Sequence, residues 1–337
     1  MSAEQQLPGP TTMRSVVQDR YGAAPEDVLR VAERGTPRIG PDEVLVRVHA
    51  TGVDRGTWHL MAGQPYPVRL AGFGVRRPKL ANPGRALAGT VAAVGARVTG
   101  FRPGDEVYGI GTATLAEYAR AHPAKLAPRP GTVSFAEAAA VPVSGLTALQ
   151  AVRDHGQVRS GQRVLVIGAS GGVGTFAVQL ARAAGAEVTA VCSTAKVDLV
   201  RALGAHHVID YTRADIPGGE HRHDVILDIG GNRPLGQLRR ALTATGRLVI
   251  IGGETGGRWL DGLDRQLRAH LLSPFVGQRL GTFVASENAA DLTALRELIE
   301  AGELVPSVER TYPLDETAAA VRHLLDGRAR GKLVITT

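Results

Sequence analysis

The stretch "VLVIGASGGVGTFAVQLARAAGA", residues 164–186, restricts the fold more than any other part of the chain. An apolar run stops at Gly168, a turn of small residues follows, and Val173, Ala177, Leu180 and Ala184 then recur at helical spacing. The turn matches a dinucleotide-binding fingerprint, with Ala169, Gly171 and Gly174 in the three glycine positions. Gly171 lets backbone approach a diphosphate, and Gly174 lets helix and strand pack closely. The helix N-terminus, across Ser170, Gly171, Gly172 and Val173, turns unpaired N–H groups toward the anion. Glycine in a tight turn also has a purely steric use. The context favours the ligand: a strand before, a helix after, and a second strand ending about twenty residues on.

Similar strands follow. "EVTAVCS" (187–193), "HVIDY" (207–211), "DVILDIG" (224–230), "RLVIIGG" (247–253) and "RLGTFVA" (279–285) are almost wholly apolar and alternate with helical stretches. Strands of that kind belong to a parallel sheet covered on both faces. Residues 15–125 differ: "EVLVRVHATGV", "LAGTVAAVGA" and "GDEVYGI" are short β segments between Gly, Pro and Asp turns. A chain of 337 residues exceeds a single core. The expected fold is α/β: a Rossmann doubly wound parallel sheet domain over 128–285, plus a β-rich barrel domain over 1–127 to which the tail 286–337 returns.

Composition narrows the function. Basic residues exceed acidic ones by 39 to 32, but only four of the 39 are lysines and the arginines are spread widely. Nucleic-acid binding would cluster them, so no nucleic-acid partner is expected. No apolar run approaches a membrane span, and "MSAEQQLPGP" lacks the parts of a signal peptide. The expectation is a cytoplasmic protein with no membrane partner. The single cysteine, Cys192, excludes an internal disulfide and any site needing two thiolates.

The end of the second strand bears on which dinucleotide is bound. An acid there would accept hydrogen bonds from the ribose of NAD and repel the 2′-phosphate of NADP. This chain has Ser193, Thr194 and Lys196, two hydroxyls and a cation, which favours NADP (NADPH). Tyr211, ending the next strand, can pack against the adenosine. The same residues also read as a Ser-Thr helix cap followed by a solvated lysine. The turns "DIGGN" (228–232) and "IIGGE" (250–254) end parallel strands, so Gly230, Ile251 and Gly252 are candidates for the ribose and nicotinamide.

The order of a β-rich half, "AEYA" (116–119), "AAAVPVSGLTALQA" (138–151), "GASGGVG", "LGAHHVIDY" and a terminal "GKLVI" resembles the medium-chain dehydrogenase/reductase superfamily. Within it the chain looks like the zinc-independent quinone oxidoreductase and enoyl reductase branch. The resemblance implies a GroES-like first domain, a homodimer paired through "RLGTFVA", and hydride transfer from NADPH to a small-molecule substrate, a quinone or an activated C=C. Zinc members carry Cys, His and Glu where this chain has Asp54, Arg85 and Ala86. A guanidinium offers no lone pair, so no metal is expected.

The resemblance also marks catalytic candidates. Asp54 stands in the place of an Asn and either relays a proton or caps a turn. Tyr66, offset by one from the branch's tyrosine, is either a proton donor or a packed loop anchor. Thr147 corresponds to a residue facing nicotinamide, or is an ordinary helix threonine. The basic segment 69–85 either steers an acidic substrate or is solvated. Two other functions stay open: a pathway-specific enoyl or ketone reductase, and a non-catalytic NADPH-binding sensor.

Overall fold

The computed structural model describes residues 10–216, 222–253, 257, 259 and 262–337. Glu254 of "IIGGE" and the first two residues of "EHRHD" (220–224) lie outside them.

The first half contains strands β1 (Thr12–Val17), β2 (Arg30–Gly35), β3 (Val44–Val53), β4 (Ala86–Val94), β5 (Glu106–Ile110), β6 (Tyr118–Ala121) and β7 (Leu126–Pro128). Helices α1 (Pro25–Val28) and α2 (Arg55–Ala62) lie among them, and α3 (Phe135–Ala140) and α4 (Pro142–Gln150) lead out. The tail contributes α9 (Ala289–Glu300), β14 (Val308–Pro313), α10 (Thr317–Leu325) and β15 (Lys332–Thr336). β14 and β15 join the first half's sheet, whose order is β14-β15-β3-β4-β5-β7 with β6 also on β3. Every pair in it is antiparallel except β14 with β15.

Between them lie β8 (Arg163–Ile167), α5 (Gly172–Ala183), β9 (Glu187–Cys192), α6 (Val197–Ala202), β10 (His207–Asp210), β11 (His223–Asp228), α7 (Leu235–Arg240), β12 (Leu242–Ile250), α8 (Leu263–Leu272) and β13 (Arg279–Thr282). Their six strands form one parallel sheet, ordered β10-β9-β8-β11-β12-β13. Val164 and Val166 of β8 enter one apolar cluster, while Leu165 and Ile167 enter another on the opposite face. Burial on both sides explains why the strand is apolar at every position.

In this order the chain reverses direction between β8 and β11, and open α/β sheets bind ligands beyond the strand ends at that point. The two sheets meet there. Gly331 N–H, beside β15 of the first sheet, donates to Ser170 C=O, past β8 of the second, at 2.9 Å. Among the described residues no helix is long and apolar enough to cross a membrane.

Candidate functional site

A cleft of about 400 Å³ opens at the reversal point. Its inner end is the turn between β8 and α5. Gly168 takes φ 81°, which turns the chain, and Gly171 is the residue before the helix. No side chain caps α5, and its first turn holds no acid, so its leading N–H groups face the cleft unopposed. Gly174 has a separate reason: a Cβ there would lie 2.1 Å from Gly168 O.

The cleft brings together Asp54, Ser170, Gly171, Gly172, Val173, Ser193, Lys196, Tyr211 and Gly230. At its outer end Ser193 follows β9, and Tyr211 is half exposed. Lys196 is present, but its ammonium donates to Gly327 O at 2.9 Å and Ala329 O at 2.8 Å. Burial lowers its pKa below the ordinary lysine value. It therefore ties the turn after β9 to the segment before β15 as well as lending charge to the cleft.

Five expected residues lie off the lining. Thr194 Oγ1 donates to Asp210 Oδ2 at 2.5 Å, and Thr147 Oγ1 donates back to Val143 O at 2.7 Å. Ile251 is partly buried against the core. Gly252 packs on Gly231 and accepts from Arg265. Tyr66 meets Trp259 edge-on at 5.0 Å, and Arg69 lies 4.7 Å from its ring and 4.5 Å from that of Tyr21. Its surroundings are those of a loop anchor.

Asp54 has two oxygens in different situations. Oδ1 accepts from Thr57 N–H at 3.1 Å and caps α2. Oδ2 is buried without a hydrogen bond, 3.8 Å from Lys332 Nζ. In the basic segment, Arg85 pairs with Glu287 at 2.6 Å and shares it with Lys125, at 2.7 Å from outside the segment, while Arg76, Arg77 and Lys79 are exposed.

Sequence reasoning missed Ser144, Arg233 and Lys332, which line the cleft. It also missed Asp228, fully buried at the end of β11. Asp228 Oδ2 accepts from Arg265 Nη1 at 2.6 Å, and Oδ1 accepts from Gly231 N–H at 3.1 Å. The same guanidinium reaches Arg233 O and Gly252 O, so one side chain fixes the turns after β11 and β12. Burial raises the Asp228 pKa and Arg265 opposes the rise. An acid inside the apolar run "DVILDIG" was the available signal.

Two family models match the chain: an alcohol dehydrogenase GroES-like domain over residues 40–151 and a zinc-binding dehydrogenase over 203–335. The mitochondrial NAD(P)H oxidoreductase RTN4IP1 of Mus musculus is 33% identical over 360 residues, covering 96% of this chain and 89% of its own. The chain belongs to the medium-chain dehydrogenase/reductase superfamily. Like the superfamily, it is a nicotinamide-dependent oxidoreductase. It falls in the quinone oxidoreductase and enoyl reductase branch. The quinone oxidoreductase of Coxiella burnetii has the same fold, with TM-score 0.82 and 27% identity over 97% of this chain and 99% of that one. The CurK enoyl reductase gives TM-score 0.80 and 26% identity, also over 97% and 99%.

The zinc named by one family model finds no matching ligands in this member of the superfamily. Of the three positions, Asp54 is spent on a cap and on Lys332, Arg85 is bound to Glu287, and Ala86 has no donor atom. Among the described residues no group of three or more His, Cys, Asp or Glu could hold a metal.

Proposed function

We propose that the chain is an NADPH-dependent reductase of quinones or activated C=C bonds, working without zinc in the cytoplasm as a homodimer. The observation that carries the cofactor choice is the charge of the cleft. Its described lining holds four cations, Arg55, Lys196, Arg233 and Lys332, and one acid, Asp54. Asp54 lies away from β9, whose end carries Ser193 where an NAD site would carry a carboxylate.

Ser170, Gly171, Gly172 and Val173 would hold the diphosphate, and Ser193, Lys196 and Tyr211 the 2′-phosphate end of the adenosine. When bound, the nicotinamide supplies a hydride. The chain's own part is to orient the two reactants and exclude competing water. Simple ketones need strong oxyanion stabilisation, which a metal would give. Quinones and enones spread the developing charge onto a distant oxygen, so few hydrogen-bond donors suffice.

The test is oxidation of NADPH and of NADH by purified protein with a chelator present, against quinones, enones and aldehydes. Turnover of quinones or enones with NADPH preferred is expected. Preference for NADH, or turnover only after zinc is added, overturns the reading. A second reading, a non-catalytic NADPH sensor, is favoured by one observation: Tyr66 and the Thr147 hydroxyl, two of the candidate donors, point to other partners. Tight NADPH binding with no turnover across the panel would select it.

A further inference from the structure

The basic segment 69–85 carries apolar side chains that the proposed chemistry does not use. Leu70 is 76% exposed, and Val75 and Leu80 are exposed beside it. A lone exposed apolar residue is ordinary on a protein surface. Three in one short segment, with Trp259 close by, make a patch. Trp259 is 73% exposed, and its edge-on contact with Tyr66 sets it beside the start of the segment.

The local structure keeps these side chains outside. The Tyr21 hydroxyl donates to Gly74 O at 2.7 Å and lies 2.9 Å from Phe73 O. Lys79 N–H donates to Phe73 O at 2.8 Å and closes the turn. Gly74, at φ 106°, packs so tightly that a Cβ on it would lie 2.2 Å from Arg77 O. At the near end Arg69 lies over the Tyr21 ring and donates to Gly63 O at 2.8 Å. A turn pinned at both ends holds Leu70 and Val75 in water, an exposure that a partner outside the chain would relieve.

Charge selects that partner. Between Asp54 and Asp105 the chain has no acidic residue. Within this stretch Arg85 is matched by Glu287 and Arg97 by Asp42, whereas Arg76, Arg77 and Lys79 have no paired acid among the described residues. Cations interleaved with leucine, valine and tryptophan suit an anionic bilayer, whose headgroups take the charges while its fluid acyl chains accept apolar side chains of any shape. Tryptophan is favoured at that boundary. An acidic protein would have to match the patch in shape as well.

We propose that the turn 70–80, with Trp259, docks the protein on an anionic lipid surface. No described helix crosses a membrane, so the contact is peripheral. The sequence excludes a span, not a surface contact. α2 runs from Asp54 in the cleft toward the segment and has only eight residues, so docking sets the cleft close to the bilayer, where an apolar quinone dissolves. That use rests on the quinone reading above; the docking does not.

The test is flotation of the purified full chain, at low salt, with vesicles of phosphatidylcholine or of equimolar phosphatidylcholine and phosphatidylglycerol. Binding to the anionic vesicles alone is expected. Arg76→Ser, Arg77→Ser and Lys79→Ser together should weaken it about a hundredfold, about fivefold for each cation. Leu70→Ser with Val75→Ser, which keeps every charge, should weaken it about tenfold or more. Lipids brominated along the acyl chain should quench Trp259, read as the quenching lost in Trp259→Phe. Failure of the wild type to float with anionic vesicles overturns the proposal, as does binding that the Leu70 and Val75 changes leave intact. Binding to poly-glutamate in place of vesicles would assign the patch to an acidic protein. If a variant does not fold, flotation of the wild type decides. Vesicle binding without reduction of any quinone would keep the docking and remove the quinone reading.

Discussion

Thr147 and Ser144 sit one helical turn apart on α4, and only the serine lines the cleft. The family motif pointed to the threonine, but its hydroxyl proton is already given to Val143 O. Spacing along a helix predicts which side chains share a face; it does not show where a hydroxyl spends its hydrogen bond. Thr147→Val, which keeps the shape and drops the hydroxyl, should leave NADPH affinity within about twofold in a fluorescence titration, as for changes that touch no special contact. A tenfold loss would return Thr147 to the site. His223 gives a second residue-level prediction. It is buried at the start of β11, and burial first, then the Arg163 guanidinium, hold its pKa down at about 4. The unfolded chain, with a histidine near 6.5, binds more protons between those values, so the stabilisation is complete above pH 6.5 and is lost as pH falls toward 4. The shift corresponds to about 3 kcal/mol. His223→Gln should flatten the stability profile over that window in urea unfolding; an unchanged slope would show that other groups cause it.

Among the elements, the strand, turn and helix over 163–183 were legible because their requirements are steric and local. Gly174 must lack a side chain whatever the rest of the protein does, since Gly168 O occupies the space. Gly174→Ala should cost about 1–3 kcal/mol by overpacking and weaken NADPH further by shifting the turn. Normal stability and affinity in that variant would mean the turn yields easily. What was not legible is contact between distant segments. Lys332 reaches the turn from the last strand, and Arg265 reaches Asp228 from α8. Neither pairing leaves a periodic trace in the sequence. Removing one member of a buried pair strands the other, so Arg265→Met should destabilise by about 3–5 kcal/mol in thermal or urea unfolding. A near-neutral result would show that the Asp228 carboxyl is held neutral in the fold.

At the scale of the whole molecule, the open end of the parallel sheet remains to be explained. β13 bonds to β12 on one side, and among the described residues no strand covers its other edge. An exposed strand edge is a template for a second chain. Beside it α8 presents Leu263, Leu267 and Leu271 at four-residue spacing, and Phe275 and Val284 flank the strand, Val284 at 96% exposed. Burying what these side chains expose, on two copies, is worth on the order of 10 kcal/mol. Association costs about 4–15 kcal/mol, so apolar burial alone is marginal and strand pairing must add to it. A second copy paired edge to edge about a two-fold axis supplies both, and it brings residues near the axis against their own counterparts. Val284→Glu would then bring a carboxylate into the apolar contact, where burying it without a partner is costly. Light scattering should give a dimer of the 35.4 kDa chain for the wild type and a monomer for Val284→Glu, with NADPH still bound because the cleft lies at β8 and β11. A wild type that stays monomeric at tens of micromolar, the range where a weak interface of this kind would still form, would leave the β13 edge and the α8 leucines for some other partner.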